Sequence, residues 1–155
     1  MRLVIGLGGN LGDRLATLRG AVAATRLHFD VQAVSPLYET APVGGAPQPA
    51  YLNAAMLLET NLVPELVLDR LLEIERSFGR VREERWGART LDLDLLWIEG
   101  ISVASAQLTV PHPELHRRRF ALLPLLDLVP GATDPRTGLP YTLPEGEMRL
   151  YSDTL

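Results

Sequence analysis

The chain carries two aspartates, Asp92 and Asp94, at a spacing that suits metal chemistry. They stand in the stretch L-D-L-D-L-L-W, where apolar and acidic residues alternate. Alternation with a period of two is typical of a half-buried β-strand, and it puts both carboxylates on one face with Cα atoms roughly 6 to 7 Å apart. Carboxylates this close repel each other unless a cation lies between them. The pattern predicts one shared opposite face for Leu91, Leu93, Leu95 and Trp97.

Two arginines precede this stretch and suit an anionic ligand. Arg85 and Arg89 flank Gly87 in R-W-G-A-R, and guanidinium groups make bidentate contacts with phosphate oxygens. Paired carboxylates beside such cations favour Mg²⁺ bound to a polyphosphate. The spacing alone leaves a second interpretation open, because D-x-D is common: an edge strand with a solvated acidic face, neutralised by the arginines.

All fifteen cationic side chains other than histidine are arginines, and lysine is absent. This excludes a Walker A loop, a protein-kinase site and Schiff-base catalysis, because each requires a lysine. Nine of the arginines fall between Arg70 and Arg119, although the net charge is −4. The acidic balance disfavours a general nucleic-acid binder, and the local basicity indicates a small anionic ligand.

Length and composition are those of an ordinary globular protein. With 155 residues, 46% hydrophobic and 22% charged, the chain is expected to form one domain over residues 1–155 with a substantial core. It has no cysteine, hence no disulfide or thiolate chemistry. No apolar run is long enough for a transmembrane helix, and the N-terminus lacks a signal-peptide pattern. We therefore expect a cytoplasmic protein without membrane association.

Strands and helices alternate along the chain. Asp13 is expected to cap the first helix and Gly79 to end the second, while Pro36 should bend the second strand or place it at an edge. The expected strands cover residues 2–7, 31–38, 51–60 and 91–97, and the expected helices 14–27, 64–78 and 117–126. The order β-α-β-β-α-β favours a ferredoxin-like α/β sandwich with a mostly antiparallel sheet and flanking helices.

The glycine-rich turn after the first strand nearly matches the dinucleotide-binding pattern G-x-G-x-x-G. The third glycine would fall at Leu11, however, and Gly12 is one residue late. No acidic residue ends a second strand at the required distance either. We interpret the segment as a tight strand-to-helix turn near a binding cleft.

His112 lies in the rigid segment L-T-V-P-H-P, shortly before three consecutive arginines, Arg117 to Arg119. Two interpretations stay open for it: a phosphate-binding imidazole in the most cationic part of the chain, or an exposed imidazole in a structural turn.

Four motifs stand in order along the chain: G-L-G-G-N-L-G-D, Y-L-N-A-A, R-W-G-A-R-T-L-D-L-D-L-L and L-T-V-P-H-P-E-L-H-R-R-R-F. Together, from about Ile5 to Pro130, they resemble the 6-hydroxymethyl-7,8-dihydropterin pyrophosphokinase family of the folate pathway. The resemblance implies a ferredoxin-like, Mg²⁺-dependent enzyme that uses two metal ions. Such an enzyme moves pyrophosphate from ATP to the hydroxymethyl group of a reduced pterin and releases AMP.

The resemblance also implies roles for individual residues on the pterin side. Tyr51 and Phe120 match the aromatic residues that enclose the pterin, and Asn53 matches the polar group that reads its edge. The matches to the backbone at the hydrogen-bonding rim of the pterin are Thr40, Ala41 and Val43.

On the ATP side, Asp92 and Asp94 match the two metal-binding carboxylates. Arg80 and Arg82 match the mobile catalytic loop, and Trp86 matches the tryptophan that helps close the site. The matches to ATP contacts are Arg89, Thr109, His112 and Arg118, with Arg89 counted among the catalytic residues as well. ATP and a reduced pterin are thus the expected partners, and no obligate protein partner is predicted.

Two departures from the family pattern affect the phosphate side. Glu83 and Glu84 stand in the loop where some relatives carry a lysine, and Pro113 stands where some carry an aromatic residue. Two rival classes remain: a ligand-binding regulatory module of the same fold, and a different metal-dependent nucleotidyltransferase. The tail after Pro130 shows no identifiable chemistry.

Overall fold

The computed structural model describes residues 1–41, 48–79 and 90–155. Its elements, in chain order, are β1 (Arg2–Gly9), α1 (Arg14–Arg26), β2 (Asp30–Val34), β3 (Leu37–Thr40), β4 (Tyr51–Glu59), α2 (Pro64–Ser77), β5 (Asp92–Ile98), β6 (Val103–Ala104), β7 (Thr109–Val110), a 3₁₀ turn (Leu115–Arg117), α3 (Arg119–Leu128) and β8 (Arg149–Ser152).

The main sheet has the strand order β5-β1-β4-β3-β8, with β2 also paired to β4, and every pairing in it is antiparallel. Helices α1 and α2 cover one face and α3 covers the other, so each face has its own apolar core. This arrangement confirms the predicted ferredoxin-like class. In the part of the chain that the structure describes, no helix has the length and apolar character needed to cross a bilayer.

Local sequence signals account for the helix boundaries on the first face. Asp13 accepts a hydrogen bond from the Ala16 backbone N–H at 3.1 Å and caps α1. Pro64 opens α2, and Gly79 follows its end with a φ of 75°, which glycine adopts without a steric cost. The sequence predicted the start of α1 from Asp13 and the end of α2 from Gly79.

The second strand region is divided into β2 and β3 at Pro36, the residue that was expected to bend it. β2 and β3 pair in succession with β4 on either side of Ser35 and Pro36, and the Ser35 hydroxyl accepts from the Ala55 N–H at 2.8 Å. The region is bent, and β3 is not an edge strand because β8 pairs with its other side.

The predicted common face holds for Leu91, Leu93 and Leu95, which all pack in the core on the side of α1 and α2, but is wrong for Trp97. Leu95 faces Ile5 and Trp97 faces Val4, so Leu96 is an extra residue in β5. Such a β-bulge reverses the alternation of side chains beyond it. Leu96 and Trp97 therefore both pack in the core on the α3 side, and the Trp97 indole N–H donates to the Thr133 carbonyl at 2.8 Å.

The last helix begins two residues later than predicted. Residues 115–117 form the 3₁₀ turn, and α3 runs from Arg119 to Leu128 with Leu122 and Leu125 buried. Tyr38 on β3 donates a short hydrogen bond to Asp127 at the other end of α3. Burial and this hydrogen bond raise the pKa of Tyr38 to about 12, so the phenol stays protonated and links α3 to β3.

Candidate active site

A cleft of about 880 Å³ opens on the α3 side of the sheet. Its walls come from β3, β4, β5, the segment around His112, the start of α3 and the chain near residue 146. The volume lies in the range of small-molecule sites. Most residues that the sequence analysis singled out, where the structure describes them, line this cleft.

Two glycines of β1 form the floor of the cleft. Gly8 lies opposite Asn53 on β4 and opposite Asp92 on β5, and Gly6 lies opposite Asp94 on β5. With neighbouring strands about 4.8 Å apart, Asp92 and Asn53 lie on one transverse row roughly 10 Å apart at the backbone. Because neither glycine has a side chain, the Leu96 side chain packs directly over Gly6 and the Asn53 carboxamide lies directly against Gly8.

The fit at Gly8 is tight. A Cβ at this position would lie 2.7 Å from the Asn53 Oδ1 and 3.3 Å from the Leu52 carbonyl oxygen. The strand-to-helix turn predicted near a binding cleft is thus preceded by a glycine that borders the cleft itself. Glycine is needed at position 8 because β1 and β4 approach each other closely there, and not because the backbone has an unusual angle.

Asp92 and Asp94 are half-buried and both line the cleft. Their placement on one face of β5 confirms the alternation that the sequence predicted for this part of the strand. No group of three or more His, Cys, Asp or Glu that could hold a metal ion occurs among residues 1–41, 48–79 and 90–155. A pair of hard oxygen donors fits Mg²⁺, which usually takes one or two carboxylates and completes its shell with phosphate oxygens and water.

A buried carboxylate on α2 holds the strand between the two aspartates. Glu75 is 1% exposed, and its Oε2 accepts from the Leu93 backbone N–H at 2.8 Å. β5 is an edge strand of the described sheet, so in that sheet the outer side of β5 has no neighbouring strand. The Glu75 carboxylate accepts the hydrogen bond that such a strand would otherwise accept from Leu93. Glu75 was not predicted to support the site, although the sequence carries a signal for it: Glu75 follows Val67 and Leu71 at spacings of four on the apolar stripe of α2.

The polar group expected to read the pterin edge is fixed by a neighbouring strand. Asn53 is 7% exposed, and its Nδ2 donates to the Thr40 hydroxyl at 2.8 Å. Thr40 and Ala41 both line the cleft beside it. Because the hydrogen bond orients the carboxamide, Asn53 presents a defined pattern of donor and acceptor to a ligand.

Tyr51 and Phe120 both line the cleft from opposite layers of the fold, one on β4 and the other at the start of α3. Tyr51 and Asn53 are two residues apart on one strand and share its face, as predicted. The Arg118 guanidinium lies over the Phe120 ring, with Cζ 5.7 Å from the ring centroid. This cation–π contact helps orient both side chains.

His112 lies in the cleft wall, and its ring environment favours the neutral form. Burial, followed by the positive charge of Arg118, lowers the pKa of His112 from its ordinary value. Its Nδ1 accepts from the Glu114 backbone N–H at 3.1 Å, so in the neutral ring Nε2 carries the proton and can donate. This geometry favours the binding interpretation of His112 over an exposed turn histidine.

The three consecutive arginines have different surroundings. Arg117 forms an ion pair with Glu114, Arg119 donates to the Pro144 carbonyl at 2.9 Å, and Arg118 contacts Phe120. All three line the cleft, whereas Thr109 is an exposed residue of β7 outside its lining. The ATP contact expected of Thr109 stays a prediction.

Five predicted site residues lie outside the described residues: Val43, Arg80, Arg82, Trp86 and Arg89. The expected catalytic loop and its Glu83–Glu84 departure also fall there. In contrast, residues 145–148 line the cleft, although the sequence analysis found no chemistry in the tail.

Comparison with known proteins identifies the family. The model of the family 7,8-dihydro-6-hydroxymethylpterin-pyrophosphokinase (HPPK) matches residues 4–130. Three relatives are each named 2-amino-4-hydroxy-6-hydroxymethyldihydropteridine pyrophosphokinase. The one from Synechocystis is 44% identical over 87% of this chain and 70% of its own length, the one from Methylorubrum extorquens 40% over 96% and 98%, and the one from Bacillus subtilis 44% over 80% and 75%.

Solved structures agree at the level of the fold. The crystal structure of an HPPK-DHPS in complex with substrates superposes with a TM-score of 0.69 over 90% of this chain at 12% identity. A Plasmodium falciparum HPPK-DHPS A437G with SDX-DHP gives a TM-score of 0.65 over 90% at 15% identity. This chain spans 42% and 44% of those two longer chains. The motif set, the cleft and these matches lead to one conclusion: the chain belongs to the 7,8-dihydro-6-hydroxymethylpterin-pyrophosphokinase family.

Proposed function

We propose that this protein transfers pyrophosphate from ATP to the hydroxymethyl group of 6-hydroxymethyl-7,8-dihydropterin in folate biosynthesis, with Mg²⁺ held by Asp92 and Asp94. Family membership supports the reaction. One structural observation supports the assignment of residues: a single transverse row of the sheet carries Asp92, Gly8 and Asn53. A metal-binding group and a ring-reading group thus face one cleft on either side of Gly8.

The pterin end of the cleft is formed by Thr40, Tyr51, Asn53 and Phe120. The two aromatic side chains offer apolar faces to a flat heterocycle, and such stacking is worth about 1 to 3 kcal/mol per ring for nucleic-acid bases. The Asn53 carboxamide, oriented by Thr40, reads the polar edge of the ring. Together these contacts orient the hydroxymethyl arm of the pterin toward Asp92 and Asp94.

The phosphate end is formed by the segment from His112 to Arg118. Neutral His112 offers its Nε2 proton and Arg118 its guanidinium to phosphate oxygens. Held there, ATP presents its β-phosphorus to the pterin hydroxyl. The hydroxyl oxygen then forms a bond to the β-phosphorus as the bond between that phosphorus and the α,β-bridging oxygen breaks; AMP leaves, and the hydroxyl proton is released to solvent. Bound Mg²⁺ would supply charge neutralisation and orientation of the phosphate oxygens.

Product analysis tests the proposal. The full chain is incubated with ATP, Mg²⁺ and 6-hydroxymethyl-7,8-dihydropterin, and the nucleotide products are separated. We expect AMP in a one-to-one ratio with the pterin diphosphate, and loss of both when the metal is chelated. ADP would indicate an ordinary kinase, and free pyrophosphate a nucleotidyltransferase. Pterin binding without turnover would indicate a regulatory module; any of the three contradicts the proposal.

Matched carboxylate variants test the metal assignment. Asp92→Asn and Asp94→Asn keep the shape of the side chain but remove its charge, and each is expected to lower turnover by at least about a hundredfold. Asp69→Asn on the exposed surface of α2 is the control and should leave turnover unchanged. Near-normal turnover of either site variant at saturating Mg²⁺ would remove that residue from the metal site.

A further inference from the structure

The C-terminal part of the chain forms one wall of the cleft. Four consecutive residues, Glu145 to Met148, line it together with Thr40, Asn53 and Phe120. This segment lies beyond residue 130, where the match to the family model ends. We call residues 144–152 the C-terminal strap; it comprises this wall and β8.

The far end of the strap is tied to the sheet by pairing and charge. β8 adds to β3 as an antiparallel strand, with Arg149 opposite Glu39. Glu39 forms ion pairs with Arg149 and with Arg14, the latter at 2.9 Å, and the hydrogen bond from Arg14 is the main cause that lowers the pKa of Glu39. Arg14 also lies over the Tyr151 ring, with Cζ 5.8 Å from its centroid.

The near end of the strap is tied to the start of α3. Arg119 donates through Nη1 to the Pro144 carbonyl at 2.9 Å. A Cβ at Gly146 would lie 3.3 Å from the Arg119 Cδ, so the backbone of the strap passes directly against this side chain. Arg119 is the neighbour of Phe120, which belongs to the expected pterin end.

We propose that the C-terminal strap is the outer wall of the pterin end of the cleft and determines how tightly the pterin is held. The antiparallel register supports this position. The ladder ends at the pair Glu39–Arg149, and the next residues, Thr40 on β3 and half-buried Met148 just before β8, both line the cleft. Thr40 orients Asn53, so the strap borders the groups that meet the pterin ring.

The strap acts on the pterin and not on ATP. The paired part of the strap lies along β3, which carries Thr40, whereas His112 and Arg118, the groups assigned to phosphate, lie in the segment before α3; only the contact of Arg119 with Pro144 adjoins that segment. Its effect is therefore expected on the affinity for a flat, donor-rich heterocycle. This inference rests on the proposed function, because it uses the assignment of the pterin end.

Two variants test the strap in steady-state kinetics with ATP and the pterin varied separately. Deletion of residues 144–155 is expected to raise the KM for the pterin about tenfold or more, with the KM for ATP changed less than about twofold. Met148→Ala is expected to raise the KM for the pterin by a smaller factor, about threefold. Leu139→Ala is the control: it removes an apolar side chain from the same tail, is 66% exposed, and lies outside the cleft lining.

The outcomes separate the strap from the proposed function. AMP formation by the unaltered chain tests the function itself. If that chain forms AMP but Met148→Ala and the deletion both keep the original KM for the pterin, the strap is not part of the site. An equal rise in both KM values would also overturn the inference. If circular dichroism shows that the deletion variant does not fold, the KM for the pterin of Met148→Ala, compared with that of Leu139→Ala, tests the inference alone.

Discussion

Replacing Gly8 by alanine is expected to damage the pterin site while leaving the fold and the phosphate end intact. A Cβ at Gly8 would lie 2.7 Å from the Asn53 Oδ1, whereas ordinary contact begins at 3.4 Å. The carboxamide must therefore recede by about 0.7 Å, the difference between these two distances. The Leu52 carbonyl oxygen, at 3.3 Å from the same Cβ position, belongs to the backbone of β4. Because β4 is held in the sheet, this carbonyl cannot move aside instead of the carboxamide.

The magnitude follows from what Asn53 loses. Displacement breaks its 2.8 Å hydrogen bond to Thr40, a net loss of about 0.5 to 1.5 kcal/mol. An off-rotamer side chain costs a similar amount, about 0.5 to 1.5 kcal/mol. The sum, about 1 to 3 kcal/mol, corresponds to a loss of about 5- to 150-fold in pterin affinity.

Global stability should fall by less than this sum. Replacing glycine by alanine restricts the unfolded chain and stabilises by about 0.4 to 1 kcal/mol where the backbone permits, which offsets part of the local strain. Gly131→Ala is the matched control, because no heavy atom lies within 4 Å of its Cβ position and its φ is not positive. It should leave pterin affinity unchanged.

Calorimetry with the pterin, in the presence of a non-hydrolysable ATP analogue, measures the effect. A double-mutant cycle with Asn53→Ala isolates its cause. If Gly8 acts through Asn53, the double variant should bind the pterin no more weakly than Asn53→Ala alone. Wild-type affinity in Gly8→Ala would refute the reasoning, and so would fully additive losses in the cycle.

Three further outcomes are expected. Tyr51→Ala and Phe120→Ala should each weaken pterin binding by about 1 to 3 kcal/mol with much less effect on ATP; normal calorimetric affinity in both would make them core residues. Glu75→Ala should lower the free energy of unfolding by about 1.5 to 3 kcal/mol, because the buried Leu93 N–H loses a charged acceptor. Denaturant titration should show a smaller loss for Glu75→Gln, which keeps an acceptor, and equal losses would exclude this hydrogen bond as the cause. Burial, followed by the positive charge of Arg118, lowers the pKa of His112 below its ordinary 6.5. As the pH falls, the unfolded chain therefore binds the proton before the folded chain does, and the free energy of unfolding decreases below about pH 6.5. His112→Asn should flatten that decline in unfolding measured from pH 7 to 5; an unchanged slope would assign it to other groups.

Periodicity and capping signals depend on neighbours a few residues apart, and the sequence was sufficient for them. The alternation around Asp92 and Asp94, the cap at Asp13 and the end of α2 at Gly79 were all predicted correctly. Side-chain direction along one strand or helix is a property of that element alone. For this reason the fold class and the shared faces of Asp92 with Asp94 and of Tyr51 with Asn53 followed from local spacing.

Trp97 shows where local spacing fails. The bulge at Leu96 arises from the register between β5 and β1, two strands separated by more than eighty residues of chain. The adjacent residues Leu95 and Leu96 end the alternation in L-D-L-D-L-L-W, but a regular strand that becomes buried on both faces shows the same pattern as a bulge. Only the packing of both cores against the sheet decides on which face Trp97 lies.

The composition of the cleft is a second property that the tertiary structure decided. The motif carried by β5 indicated two carboxylates, but their distance from Asn53 is set by Gly8, which belongs to a third strand. The tail shows no motif of its own, and it reaches the cleft only because β8 pairs with β3 and Arg119 binds Pro144. Sequence thus determined which side chains carry the chemistry, since residue type and short spacing are local. The register of the strands and the packing of the C-terminal tail against the sheet determined what surrounds those side chains, because register and packing depend on contacts between residues distant in sequence.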